Sequence, residues 1–265
     1  MKNKILTPLF IAIVIAACST VPLTGRKQLK LLPESQLQQM SLAEYKSFLS
    51  EQKVVNNTEQ AAMVKRVGQR LSASATDYLR KMGFADRVEG YQWEFNLVED
   101  KTVNAWCMPG GKVVIYTGIL PVTQTEAGLA TVMGHEISHA IAQHGNERMS
   151  QQMAVALGGI ALDVALMNKP QETRNLFLGA YGVGSAVGVI LPFSRRHELE
   201  ADKIGLAFMA MAGYDPNEAI NFWKRMAAQG GQKPPQFLST HPSDETRIAD
   251  LQKFLPVAMK MYKPK

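Results

Sequence analysis

Cysteine is nearly absent from this chain of 265 residues: Cys18 and Cys107 are the only two. An oxidising compartment would permit a disulfide between them, but Cys18 has a better explanation, given below. A dense lysine/arginine block is missing too, although the formal net charge is +6. The positive excess is spread along the chain, starting with Lys2 and Lys4, and no aromatics are interleaved with it. That pattern argues against a nucleic-acid partner and for a mildly basic solvated surface. There is no internal repeat and no low-complexity tract. Histidine is scarce and lopsided: His135, His139, His144, His197 and His241 are the five, with none in the first half. What remains is ordinary globular composition, long enough for one domain with appendages and a real core.

The first residues read as an address. Met1–Lys4 is basic, and residues 5–17 are apolar apart from Thr7 and Pro8. Such a run is too short to span a bilayer but has the length of a secretory hydrophobic region. It ends in Ile15-Ala16-Ala17-Cys18, which resembles a bacterial lipobox. The resemblance implies a lipoprotein signal peptide over residues 1–17, cleavage before Cys18, and a diacylglyceryl group on its sulfur. Several acyl chains on one residue anchor firmly. Ser19, rather than Asp, favours the outer membrane by analogy with enterobacterial sorting. The expected location is the bacterial cell envelope, lipid-anchored and facing the periplasm. Residues 18–33, with Pro22, Gly25 and Pro33, read as a lipidated tether, and residues 34–265 as one folded domain.

Along that domain the apolar periodicity predicts helices from Pro33 to Glu51 and from Asn57 or Thr58 to Met82, stopped by Gly83. Tyr91–Val98 alternates as a half-buried strand, followed by strands over Val103–Cys107 and Lys112–Thr117 with Pro109-Gly110-Gly111 between them. An exposed edge of this sheet offers a place for an extended peptide. A mostly buried helix is expected over Thr123–Glu147. Two apolar stretches follow, Met153–Met167 and Leu176–Phe193. The second approaches a membrane span in length, yet carries Gly179, Gly182, Gly184 and Gly188. It reads as half of a buried or site-covering helical hairpin. Helices over Ser194–Ala212, from Asp215-Pro216 to Ala228, and from a Ser243 cap to Phe254 complete the chain.

The chemistry concentrates at His135-Glu136-Ile137-Ser138-His139. Residues four apart on a helix share a face, so both imidazoles can hold one metal ion. Glu136, between them, is rotated to reach a water on that metal and to take its proton as general base. Burying two histidines and a glutamate without partners or metal is costly. A catalytic zinc takes three protein ligands and leaves one position open. Ser194–Asp202 supplies the third: Glu198 can ligate, while Asp202, on the same face, accepts the free ring N–H of a ligand histidine. Glu200 is rotated away and reads as structural, as do His144 and His197. Cys107 reads as inert core.

Four segments look like one zinc metallopeptidase family, that of the prenyl-protein endopeptidases, HtpX and BepA. They are Asn104–Leu120, Gly134–His144, Ser194–Asp202 and Thr240–Arg247. The resemblance implies an α+β, predominantly helical, zincin-like fold of gluzincin type, with a small β-sheet beside the HExxH helix. It implies one Zn2+ per chain, held by His135, His139 and Glu198, with Glu136 as the base and Asp202 behind the ligands. His241 would steady the oxyanion or occupy the open metal position in a latent state, and Arg247 would be a second cationic helper toward oxyanion or substrate. The implied activity is endopeptidase cleavage of extended segments, held against an edge strand at Val113, Val114, Ile115 and Tyr116. The implied substrates are unfolded or misassembled envelope proteins. The alternative is a chaperone-like assembly factor with a latent zinc site.

Overall fold

The computed structural model of the protein describes residues 18–229, 235–241 and 245–264. The expected signal peptide over residues 1–17, the Cys18 side chain and the expected Ser243 cap lie outside the described residues. In chain order the first elements are β1 (Cys18–Thr20), β2 (Lys27–Leu29), α1 (Glu34–Glu51), β3 (Val54–Val55), α2 (Glu59–Lys81), β4 (Glu94–Val98), β5 (Ala105–Met108) and β6 (Lys112–Tyr116). There follow α3 (Leu120–Thr123), α4 (Glu126–Ile141), α5 (His144–Ala165), α6 (Gln171–Ser185), α7 (Leu191–Met211), α8 (Asn217–Ala228), α9 (Gln236–Thr240) and α10 (Glu245–Met261). The fold is α+β and predominantly helical, as expected. Its contacts form two units: residues up to Pro33 with His144–His197, and Glu34–Gln143 with Glu198–Lys265.

The larger unit is built on a four-stranded sheet ordered β3-β4-β6-β5. β4 runs parallel to β6, while β3 and β5 are antiparallel to their neighbours. On one face, α1 places Tyr45 and Phe48 against Val98, Val114, Trp106 and Tyr116. On the other, Phe95 lies against Gly68 of α2, where a side chain on residue 68 would collide with the ring. α2 is capped by Thr58, which accepts from the Ala61 N–H, and its stripe of Val64, Val67, Leu71, Ala75 and Leu79 is buried. Gly83, at a φ of 78°, ends it as expected.

α4 lies against β5, α2 and α8. It is buried on nearly every side, which its apolar composition dictates. Thr125 caps it by accepting from the Gly128 N–H. The expected helix over Thr123–Glu147 is divided, however. Gln143 adopts a left-handed φ of 57° and accepts a hydrogen bond from buried Arg87 at 2.8 Å, so α4 stops and α5 begins anew. No local signal in the sequence marks that break. The last helix also runs past Phe254 to Met261, carrying Pro256 inside it.

In the smaller unit, the stretch expected as a tether contains regular structure. β1 and β2 form an antiparallel ladder pairing Cys18 with Leu29. Arg26 donates two hydrogen bonds of 2.7 Å to Glu147 of α5, Gln28 donates a third, and His197 approaches the same carboxylate at 3.0 Å. His197 stacks on His144 with ring centroids 4.3 Å apart. Both histidines are therefore structural here. Burial would raise the Glu147 pKa, but Arg26 and His197 outweigh it and hold it near about 2.

α5 and α6 form the expected helical hairpin, joined by the Tyr181 hydroxyl donating to the Val155 carbonyl at 2.8 Å. The expectation that it is buried is corrected. Leu157, Ile160, Leu176 and Val183 are exposed, and no residue of α6 is buried. A turn of π-helix, Ala186–Ile190, continues α6 into α7, so the helical run is unbroken from Gln171 to Met211. The expected start of a helix at Ser194 thus falls inside that run.

Candidate metal and catalytic site

α4 and α7 bring the chemistry together because both are thinned where they cross. A Cβ on Gly134 would lie 3.1 Å from the Gly205 carbonyl, and one on Gly205 would lie 2.8 Å from the His135 nitrogen. A side chain at Gly205 would force the helices to shift, and one at Gly134 would be tight. This close approach sets Glu198 and Asp202 opposite His135 and His139.

The donor atoms then converge. His139 Nε2 lies 3.1 Å from His135 Nε2. Glu198 reaches these two nitrogens at 3.4 Å and 3.3 Å. His241, at the C-terminal end of α9, places Nδ1 3.1 Å from His135 Nε2 and 2.9 Å from Glu198 Oε2. One ligand atom from each of His135, His139, Glu198 and His241 falls within 4.8 Å of all the others. A tetrahedral ion with bonds of about 2.0–2.1 Å keeps its ligand atoms about 3.3 Å apart, so this donor set fits one such ion. Nitrogen and carboxylate donors of this kind suit a borderline-soft divalent metal.

The surrounding groups orient the donors. His135 Nδ1 lies 3.0 Å from Asp202 Oδ1, which leaves Nε2 for the metal. Asp202 also accepts two hydrogen bonds of 2.7 Å from Arg247, from Nε and Nη2. The Arg247 guanidinium sits 3.9 Å above the Trp223 ring and donates to the His241 carbonyl at 3.2 Å. Burial would keep His135 neutral, but Asp202 and Glu198 outweigh it and lift its pKa to about 9. Burial likewise opposes the charge on Glu198, and the three histidines around it prevail and hold its pKa well below the usual range. For Asp202 the burial cost is outweighed chiefly by Arg247.

Glu136 behaves differently. It is buried, and its pKa is raised by that burial. Its Oε1 makes no hydrogen bond to the described residues, and His241 Nε2 stands 3.5 Å away. A buried carboxylate with a raised pKa beside such donors has the chemistry of a proton acceptor.

The expected His135, Glu136, His139, Glu198, Asp202 and His241 are thus gathered in one place. Glu200 is buried but outside the donor cluster. Arg247 has a different task from the expected one. It is buried, donates twice to Asp202 and lies 3.4 Å from Glu198, so its guanidinium is held among the site's own carboxylates. The substrate-edge expectation is corrected as well: Val113, Val114, Ile115 and Tyr116 form β6, which is paired on both sides, and all four are buried. A strand with neighbours on both sides has no free edge. β5 closes the sheet on that side and lies against α4, so its outer backbone is the edge beside the site. Cys107 on β5 is a free thiol whose pKa is pushed up by burial and by nearby Glu136; it is not among the clustered donors. Three contributors escaped the sequence reading: Gly205, Trp223 and Phe237. The last two lean on His135, with ring centroids 5.7 Å and 6.4 Å away. Their only mark in the sequence is an apolar helix face, which many core residues share.

A family model described as peptidase family M48 matches residues 59–255. The chain is 40% identical over 169 residues to the mitochondrial metalloendopeptidase OMA1 of Schizosaccharomyces pombe, covering 63% of this chain and 48% of that protein. It is 30% identical over 264 residues to the human mitochondrial metalloendopeptidase OMA1, covering 96% of this chain and 49% of that one. With the putative beta-barrel assembly-enhancing protease of Vibrio cholerae it shares 32% identity over 204 residues, 75% of this chain and 40% of that one. The chain therefore spans about half or less of the length of these relatives.

Proposed function

Because this chain belongs to peptidase family M48, we propose that it is a zinc-dependent metalloendopeptidase acting in envelope protein quality control. The observation that carries this reading is the convergence of His135, His139, Glu198 and His241 beside Glu136, whose Oε1 makes no hydrogen bond to the described residues. A bound zinc ion would supply Lewis acidity toward the peptide carbonyl and would acidify water. His135, His139 and Glu198 would hold it, with Asp202 and Arg247 fixing the His135 ring. Glu136 takes the proton of the attacking water onto Oε1, and its raised pKa lets it return that proton to the leaving nitrogen. His241, 3.5 Å from Glu136, would donate to the developing oxyanion or serve as a further metal ligand at rest. The substrate, an extended segment of an unfolded or misassembled protein, adds as a strand to the outer edge of β5.

The lipobox-like Ile15-Ala16-Ala17-Cys18 favours a bacterial lipoprotein of the outer membrane facing the periplasm. Fatty-acid labelling of wild type but not of Cys18→Ser is the expected result; equal labelling overturns the assignment. For the activity, the test is cleavage of an unfolded protein by the purified chain beside Glu136→Gln. The variant should keep its metal and lose activity by at least about a hundredfold. Undiminished cleavage would remove Glu136 from the mechanism. Loss of cleavage with envelope function intact would favour the chaperone-like assembly factor instead.

A further inference from the structure

Among the described residues, the run Gln171–Met211 is the one helix long and apolar enough to cross a membrane by length and composition, and its most apolar window has nothing buried. The hairpin it forms with α5 exposes Leu157 (61%), Ile160 (62%), Val164 (60%), Leu176 (70%), Phe177 (51%) and Val183 (67%). At about 100° per residue, Leu157, Ile160 and Val164 fall within about 60° of one another on α5, and Leu176, Phe177 and Val183 within about 120° on α6, so each helix of the hairpin turns one broad apolar face outward. We propose that the α5–α6 hairpin inserts into a lipid bilayer.

The charges are arranged for this. From Arg148 to Arg196 the only charged residues are those two, Asp163, Lys169, Glu172, Arg174 and Arg195. The foot of the hairpin carries exposed Arg148, Arg195 and Arg196, which match anionic headgroups. The other four gather at the turn, where Arg174 pairs with Asp163 and neutralises it. The uncharged arm between them, residues 175–194, would measure about 30 Å as a helix, the thickness of a hydrocarbon core. The foot also bears the β1–β2 ladder, pinned where Ser150 accepts from the Leu31 N–H and Asn146 donates to the Leu32 carbonyl. Cys18 begins that ladder, so an acyl group there would enter the same leaflet; insertion itself does not depend on it.

The test uses the full chain with a bimane fluorophore on Leu176→Cys or, as control, on Met40→Cys, an exposed site on α1. Each is reconstituted in phosphatidylethanolamine/phosphatidylglycerol vesicles with brominated or unbrominated acyl chains. The parent chain, treated alike, gives the background from Cys18 and Cys107. Brominated lipid should remove most of the Leu176 emission and leave the Met40 emission at its unbrominated level. Adding Ile160→Asp and Val183→Asp should abolish the Leu176 quenching while metal content, set by the larger unit, stays unchanged. Quenching at Leu176 no greater than at Met40 overturns the proposal, whether water or a second copy covers the hairpin. So does quenching that survives both aspartates. Neither readout involves catalysis, so the proposal stands or falls apart from the protease reading.

Discussion

Asp202 joins the Arg247 guanidinium to the His135 ring, so a single carboxylate decides where the first donor nitrogen points. Asp202→Asn should weaken metal affinity by about 10–100-fold, measured by competition with a chromogenic chelator. Unaltered affinity would mean that the surrounding rings alone orient His135. Glu198→Ala removes a donor rather than its support, and the purified variant should lose most of its metal in elemental analysis. Full retention would transfer the third-ligand role to His241. At this scale much was legible from spacing alone. Two histidines and a glutamate at helical positions i, i+4 and i+1 announce a metal and a base. Arg247 shows the limit. Its charge was visible, but its direction was not, because the Asp202 and Trp223 that capture it come from separate helices.

The site exists because α4 and α7 cross at Gly134 and Gly205. Gly205→Ala should cost about 1–3 kcal/mol of stability, as overpacking of a close contact does. Urea unfolding would show it as a lower midpoint at unchanged slope, together with weakened metal binding. If the midpoint falls and metal affinity does not, the crossing serves stability only. Helices and strands themselves were well placed by periodicity and caps: Thr58, Gly83 and the alternation of Phe95 and Leu97 all act as expected. The pairing order was not. β6 was expected as an edge, yet β4 docks alongside it in parallel and β5 pairs on its other side. Register between distant strands leaves no local trace.

For the whole molecule, metal and fold are linked. A chelator should lower the midpoint of thermal unfolding, and added Zn2+ should restore it by mass action. Equal midpoints with and without chelator would mean that the donor set is empty in solution. Acid should act on the smaller unit. Glu147 is held near about 2, below the ordinary carboxylate value of 4.5, so its contribution is complete above that value and is lost as pH falls toward about 2. Glu147→Gln should therefore be less stable than wild type at neutral pH, with the difference vanishing at the acid end. A constant difference across that range would show that the carboxylate's charge is irrelevant. By itself, the sequence determined the helical class, the HEISH donors and base, the Glu198/Asp202 pair and the lipobox-like start. Each of these is written within a few consecutive residues, where helix geometry and chemistry suffice. The tertiary structure alone decided that β5 rather than β6 is the edge strand among the described residues, that Arg247 bonds to Asp202, and that the apolar hairpin exposes its face. Those outcomes depend on which surfaces meet between separate elements, 18 residues apart for Glu94 and Lys112 and 45 for Asp202 and Arg247, and burial is a property of neighbours that no local pattern carries.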